Sequence, residues 1–358
     1  MSLGFRNEID VTVWLAGATI ADVAITPRSR PPLTRLFAGK PSESILPVLP
    51  RLFSLCSVAH QVAFVSAVEA AQQRQATRET ARQRLTLVMA ERLTELVRGM
   101  FVGMHTLDAT SAAAVREVMQ AATLLGNLDE APSPEVRRDA VARINAALAT
   151  LGIFGGDRAI APANPCADSA AQDGGLRSQQ MVEPSFLTAA DDLDIVTRLL
   201  ADGVAFSDAP DLQGRIPETG VWARSASREA AETSPAARLN ARVAEIAQLC
   251  DWLERGDDDR NDVIASYQLG DRKGAAAVEC ARGRLYHAVA LDDADRIVAF
   301  EFLAPTEWNF HARGPLVRSL KGAVLGDGPQ GQDAVRALVG SFDPCVGFSL
   351  DFREASHA

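Results

Sequence analysis

From Val58 to Glu95 the chain contains neither glycine nor proline. This run is rich in Ala, Val, Leu, Gln and Glu, and the straight-chain residues and Ala among them lose little freedom on entering a helix. The pattern predicts one long helix or two abutting ones. The segments on either side differ. Residues 8–26, EIDVTVWLAGATIADVAIT, alternate Ile9, Val11 and Val13 with polar residues and place Gly17 at a turn, the pattern of a β-hairpin. Pro27, Pro31 and Pro32 mark a loop. Further on, Asp108 or Thr110 is placed to cap a helix reaching about Leu125, and Pro134 opens another reaching about Leu151. Helices are expected again near Thr188–Ala201 and Pro235–Glu254. Ala275–Cys280, Leu285–Leu291 and Arg296–Leu303 then read as short strands, with Asp292–Asp295 a polar turn and a last helix over about Gln332–Val339. Strands, then helices, then strands give an α+β fold, mainly α, rather than the alternation of a parallel α/β sheet.

Apolar residues at 47% supply a core, and charged residues at 23% do not suggest a disordered chain. The net charge of −10 argues against a general nucleic-acid binder, which needs a basic face. The N-terminus, MSLGFRNEID, lacks the apolar core of an export signal. The most apolar stretch, Leu52–Ala71, is interrupted by His60, Gln61 and Glu69, so a buried helix is expected and a membrane span is not. The five cysteines, Cys56, Cys166, Cys250, Cys280 and Cys345, are odd in number and widely scattered. Free thiols in a reducing cytoplasm suit them better than a disulfide framework. Cys166 falls in the loop-like stretch Gly155–Gln180, and Cys250 has the spacing of a helix core position.

Two segments carry more chemistry. In Arg51-Leu52-Phe53-Ser54-Leu55-Cys56-Ser57-Val58-Ala59-His60 a cysteine precedes a long helix, where the helix dipole favours thiolate, and His60 lies one turn on. By spacing alone, core packing is the more ordinary role of such a pair. In Ser341-Phe342-Asp343-Pro344-Cys345-Val346-Gly347-Phe348 a proline stiffens the approach to a cysteine and a glycine lets backbone pass close by. Alone, this too is ambiguous.

Together these segments resemble the paired metal-binding motifs of nickel–iron hydrogenase large subunits. Arg51, Cys56, His60 and Glu69 match the first motif, R-x-C-G-x-C-x-x-x-H with its later Glu; Asp343, Pro344 and Cys345 match the last, D-P-C-x-x-C-x-x-H. Between them, Glu279-Cys280-Ala281-Arg282-Gly283-Arg284-Leu285-Tyr286-His287 resembles E-A-P-R-G-x-L-x-H, and Ala304-Pro305-Thr306-Glu307-Trp308-Asn309 resembles V-P-T-T-W-N. Four collinear matches are more specific than any one of them. The central helical part matches only in general character and is shorter. The resemblance implies a single large-subunit-like domain over residues 1–358. Its helical part covers about 51–260, with a small antiparallel or mixed β layer drawn from about 1–50 and 270–310 and a cysteine motif at 341–348.

The departures bear on function. Phe53 and Phe348 stand where the family has two of its four nickel-binding thiolates. Two soft sulfurs and two rings cannot make a four-sulfur nickel site, and the rings are expected to occupy the nickel volume. Hydrogen turnover is not expected. The iron half remains. The resemblance implies that Cys56 and Cys345 are metal ligands, with Cys280 a possible third. It places Arg282 and Thr306 at the cyanides of an Fe(CN)2(CO) unit, Pro305 beside the cleft, and His60 as a hydrogen-bonding neighbour. The competing role for Arg282 is a carboxylate pair, such as with Glu279. The family's terminal His falls at Asp351, and a chain that takes no nickel needs none of the family's C-terminal processing.

The chain is thus similar to the HupK/HoxV group of hydrogenase maturation proteins. What this implies is a non-catalytic scaffold that carries Fe(CN)2(CO), without nickel, between Hyp-type maturation factors and a hydrogenase large-subunit precursor, with no nucleic-acid or membrane partner. The alternative is a metal-free mimic of the large subunit that acts only through its surface.

Overall fold

The computed structural model describes residues 8–101, 107–128, 130–153, 175–177, 184–225, 234–256, 262–326 and 328–355. The hairpin at the start forms as β1 (Glu8–Ala16) and β2 (Thr19–Thr26), with Gly17 at φ 62° in its turn. Short helices α1 (Leu33–Phe37) and α2 (Leu49–Leu52) lead into α3 (Ser57–Ala71) and α4 (Arg78–Phe101). The Gly-free run is therefore two helices, broken where Gln73 turns to φ 56°. Asp108 caps α5 (Ala109–Thr123), its carboxylate accepting from the Ser111 N–H at 2.7 Å. Ser133 caps α6 (Pro134–Thr150), and Pro134 stands where a helix has no use for an N–H. Next come the two-residue β3 (Leu176–Arg177), then α7 (Asp192–Asp202), α8 (Val204–Asp208), α9 (Val221–Arg224) and α10 (Pro235–Arg255). Cys250 is buried on α10, as its spacing predicts. Cys166 lies outside the described residues, as does most of the loop expected around it.

The last part runs β4 (Ile264–Gly270), β5 (Lys273–Cys280), β6 (Gly283–Leu291), β7 (Ile297–Leu303), α11 (Pro305–Asn309), α12 (Pro315–Leu320), β8 (Val324–Leu325), α13 (Pro329–Ser341) and β9 (Gly347–Glu354). Two sheets form where one β layer was expected. Strands β4 to β7 make an antiparallel meander of their own. The N-terminal hairpin pairs instead with β9, parallel to β1 with Val11 opposite Leu350, in a five-stranded sheet ordered β3-β8-β2-β1-β9. The reason lies in β9 itself. Phe348, Leu350 and Phe352 alternate with Ser349, Asp351 and Arg353, so one face packs on the apolar cluster around Val11 and Leu338. Asp351 sits in this strand and pairs with Arg353 at the surface.

Helix α3 is the centre of the largest core. It buries residues all round, among them Ala59, Val62, Ala63 and Ala67, as a helix covered on several sides must. It packs on β5, β6 and α4. A Cβ at Gly274 of β5 would collide with the Ala67 carbonyl oxygen and the Ala71 nitrogen, so only glycine lets α3 ride this close to the sheet. The fit fixes one end of α3, and Cys56 lies immediately before the other.

Candidate functional site

Four separate pieces of chain meet around one cavity of about 860 Å³. They are the turn before α3, the β5–β6 turn, the start of α11 and the segment after α13. These pieces carry Cys56 and His60, Cys280 and Arg282, Pro305 and Thr306, and Cys345, and every one of these residues lines the cavity. Phe53 and Phe348 border it without filling it. Phe53 is turned flat against His60, ring centroids 3.6 Å apart and 3° from parallel, with its edge toward Phe302. Both rings thus form part of the cavity's wall.

Cys56 takes a left-handed conformation, φ 54°, as the residue before α3. The helix-dipole argument for its thiolate does not hold. The α3 N-terminus is already occupied by Glu91 of α4, whose carboxylate accepts from the N–H groups of Val58 at 2.7 Å and Ala59 at 2.8 Å. A hydrogen bond with Cys280, together with burial, pushes the Cys56 thiol well up, while Arg282 pulls the other way. The same contact eases ionisation of Cys280, whose thiol is shifted down. In such a pair of thiols the first proton leaves readily and the second does not.

Arg282 is 5% exposed and has three partners, two of them by hydrogen bond. Its Nη1 donates to the Cys56 Sγ at 3.3 Å and to Glu95 at 2.9 Å, and its Nε lies 3.6 Å from Asp343, too far for a hydrogen bond. Burial works against its charge, but the carboxylates of Asp343 and Glu95 hold it cationic. A carboxylate pair for Arg282 therefore exists, though not with Glu279, which is taken by Arg224 and Arg284. The Arg282 Nε remains buried without a hydrogen-bond partner. Thr306 Oγ1, on the same cavity, donates to the Cys345 Sγ at 3.2 Å.

His60 does not face a thiol. Its Nδ1 meets the Nε2 of His287 at 2.8 Å, and one face of the ring is stacked on Phe53. Burial, then the nearby His287 and Arg28, hold His60 well below its ordinary range; burial alone takes His287 to about 3. Both rings are neutral, so one nitrogen donates and the other accepts. His287 stood in the E-x-x-R-G segment without an assigned role. Its place in that segment was the available signal, whereas Glu91, Glu95 and Asp343 had none that fixed these contacts.

The β5–β6 turn is held from behind. Arg224 donates to the carbonyls of Cys280 at 3.3 Å and Ala281 at 3.1 Å, and is itself gripped by Glu245, whose carboxylate also accepts from Arg92 at 2.7 Å. Despite burial, the two guanidiniums hold the Glu245 carboxyl down at about 2. Thr219 accepts from the Arg284 N–H at 3.0 Å, and Asn309 of α11 clasps Thr219 through both backbone groups, at 3.0 and 2.9 Å. The arginine turn and the threonine helix thus share one support.

Among the described residues no three His, Cys, Asp or Glu side chains come together in a way that could hold a metal ion. Glu91 offers a stability test separate from any ligand. Burial raises its carboxyl from its ordinary value near 4.5 to about 7 against the N–H groups that favour its charge. A raised acid stabilises the fold below its ordinary range and loses that contribution as pH climbs to the raised value. Between pH 4.5 and 7 the wild type should therefore lose stability relative to Glu91→Gln, on the order of 2 kcal/mol. Urea denaturation of both across this window checks it, and parallel pH curves would count against it.

Comparison with solved structures places this arrangement. The fold is that of a nickel–iron hydrogenase large subunit: the Ni-Fe-Se hydrogenase from D. vulgaris Hildenborough superposes with a TM-score of 0.62 at 15% identity, over 93% of this chain and 95% of that one. The family model for nickel-dependent hydrogenase matches residues 214–350, which include the β5–β6 turn, α11 and Cys345. The chain belongs to the HupK family of hydrogenase expression/formation proteins. It is 71% identical to HupK of Bradyrhizobium diazoefficiens over the full length of both, and 35% identical to HupK of Rhizobium leguminosarum bv. viciae over 98% and 97% of the two chains. HoxV of Cupriavidus necator is 28% identical over 91% and 92%. Among the described residues no helix is long and apolar enough to cross a membrane.

Proposed function

We propose that this protein is a non-catalytic scaffold of hydrogenase maturation that transiently carries an Fe(CN)2(CO) unit, received from Hyp-type factors and passed to a [NiFe] hydrogenase large-subunit precursor. The observation that carries this reading is the convergence of three thiols, a buried guanidinium with an unpartnered Nε–H and a threonine hydroxyl on one cavity. The donor set fits the cargo. Thiolates are soft ligands suited to low-spin iron, and an iron that already bears three diatomic ligands needs few from the protein. The Arg282 Nε–H supplies a donor for cyanide nitrogen, and the Thr306 hydroxyl supplies a second on turning away from the Cys345 sulfur. The names of the relatives as hydrogenase expression/formation proteins support a maturation role. The phenylalanines at 53 and 348, in place of two sulfurs, weigh against a nickel centre.

One observation favours the alternative, a metal-free mimic of the large subunit. Glu95 and Asp343 already neutralise Arg282, so no cyanide is required to balance its charge. Iron analysis after anaerobic purification from cells with an intact maturation system separates the two. The carrier should retain iron in proportion to the chain, and Cys56→Ala should lose most of it. Iron-free protein that still supports hydrogenase assembly would favour the mimic.

A further inference from the structure

Resting on the carrier reading for the identity of the cargo, the choice of sulfurs can be taken further. By motif position the pair is Cys56 and Cys345. The geometry points to another: we propose that Cys56 and Cys280, which the Arg282 turn brings to the same stretch of the cavity wall, are the two sulfurs that hold the iron, and that Cys345 stands outside the iron's coordination.

Both thiols are buried yet reach the cavity wall. Arg282, two residues after Cys280 in the same turn, donates to the Cys56 Sγ at 3.3 Å, whereas the Cys345 Sγ accepts from Thr306 at 3.2 Å. Each is mounted on a rigid element. Cys56 is fixed by the capped start of α3, and Cys280 by the Arg224 contacts at its own and the next carbonyl. Such a pre-set pair can chelate without ordering a loop first. The unpartnered Nε of Arg282, whose side chain is 4% exposed, lies on the same guanidinium that donates to Cys56. A dithiolate iron complex is anionic, and Arg282 is the cation placed to meet it. Motif reading puts an ordinary small residue at position 280; here it is a thiol.

The exchange balances without electron transfer. Each Fe–S bond formed replaces an S–H bond on Cys56 or Cys280. On uptake from a thiolate-bearing donor protein the donor's Fe–S bonds break and its sulfurs accept those protons, the iron staying Fe(II). Passing the unit on reverses the exchange.

The test uses the full chain with Cys56→Ser, Cys280→Ser or Cys345→Ser, purified anaerobically. Two readouts are taken. One is the infrared cyanide and carbonyl bands. The other is Cd²⁺ titration of iron-free protein, followed by sulfur-to-cadmium charge-transfer absorption, which needs no cargo. The proposal expects Cys280→Ser to lose the bands and to weaken cadmium binding by about tenfold or more, as Cys56→Ser does, while Cys345→Ser keeps both. Bands and cadmium binding that survive Cys280→Ser but not Cys345→Ser overturn it and leave the carrier reading standing. A wild type without bands removes the carrier reading instead, and the pair then stands or falls on cadmium alone. Should Cys280→Ser not fold, the Cys345→Ser protein decides: an unchanged charge-transfer intensity supports the pair, and a diminished one overturns it.

Discussion

Asp192→Ala is expected to lose about 3–5 kcal/mol of folding stability, the penalty for removing one partner from a buried charge pair. The Asp192 side chain is fully buried and is a hub. Its carboxylate accepts from Arg284 through Nε at 2.6 Å and through Nη2, from the Tyr286 hydroxyl at 2.9 Å and from the Tyr267 hydroxyl at 2.6 Å. The alanine variant leaves Arg284, itself 3% exposed, with Glu279 at 3.4 Å and a backbone carbonyl at 2.8 Å. It also strips two phenols of their acceptor, and an unmet buried donor carries its own penalty. Because Arg284 follows the arginine turn by two residues, the loss should reach the cavity as well. Equilibrium urea unfolding gives the number; Asp192→Asn, which keeps an acceptor of the same shape, should fall between wild type and alanine. A loss under about 1 kcal/mol would mean that Glu279 takes over the pair.

Gly283→Ala is expected to lose about 3 kcal/mol and to lower iron retention, although position 283 is not on the cavity wall. Gly283 closes the β5–β6 turn at φ 131°, where a side chain is strained whatever the space. There is also no space. A Cβ there would collide with the Thr219 side chain and stand 2.8 Å from the Gly220 nitrogen, and Gly220 in turn faces the Arg282 carbonyl. Thr219 cannot retreat easily, since Asn309 holds it through two hydrogen bonds. The relief available is a shift of the turn that carries Cys280 and Arg282. Wild-type stability in this variant would show that the turn is free to move, and the supporting role given to Thr219 and Asn309 would have to be dropped.

The sequence made the four cavity-lining segments legible because each carries its chemistry within a few residues, and their order along the chain matched a known arrangement. The helices were legible from Asp108 or Thr110, Pro134 and Pro235 at their starts and from the Gly-free run. What failed to appear is long-range. Glu91 and Glu95 are ordinary helix carboxylates by pattern, and nothing in the sequence says that one would cap α3 and the other bind Arg282. The dipole argument at Cys56 therefore went wrong through a partner on another helix. Strand β9 was hidden because its alternation begins inside the cysteine motif, and β4 because Ser266 and Gln268 dilute its apolar pattern. Cys280 was visible as an extra thiol, but its place on the same cavity as Cys56 depends on how close Gly274 lets α3 come to the sheet.

Infrared spectroscopy of the anaerobically isolated protein is the most direct measurement. Cyanide and carbonyl stretches should be present in the wild type and absent in Cys56→Ala. A wild type that lacks them when purified beside an intact maturation system, or bands that persist unchanged without the Cys56 sulfur, would contradict an iron-carrying cavity built on that residue.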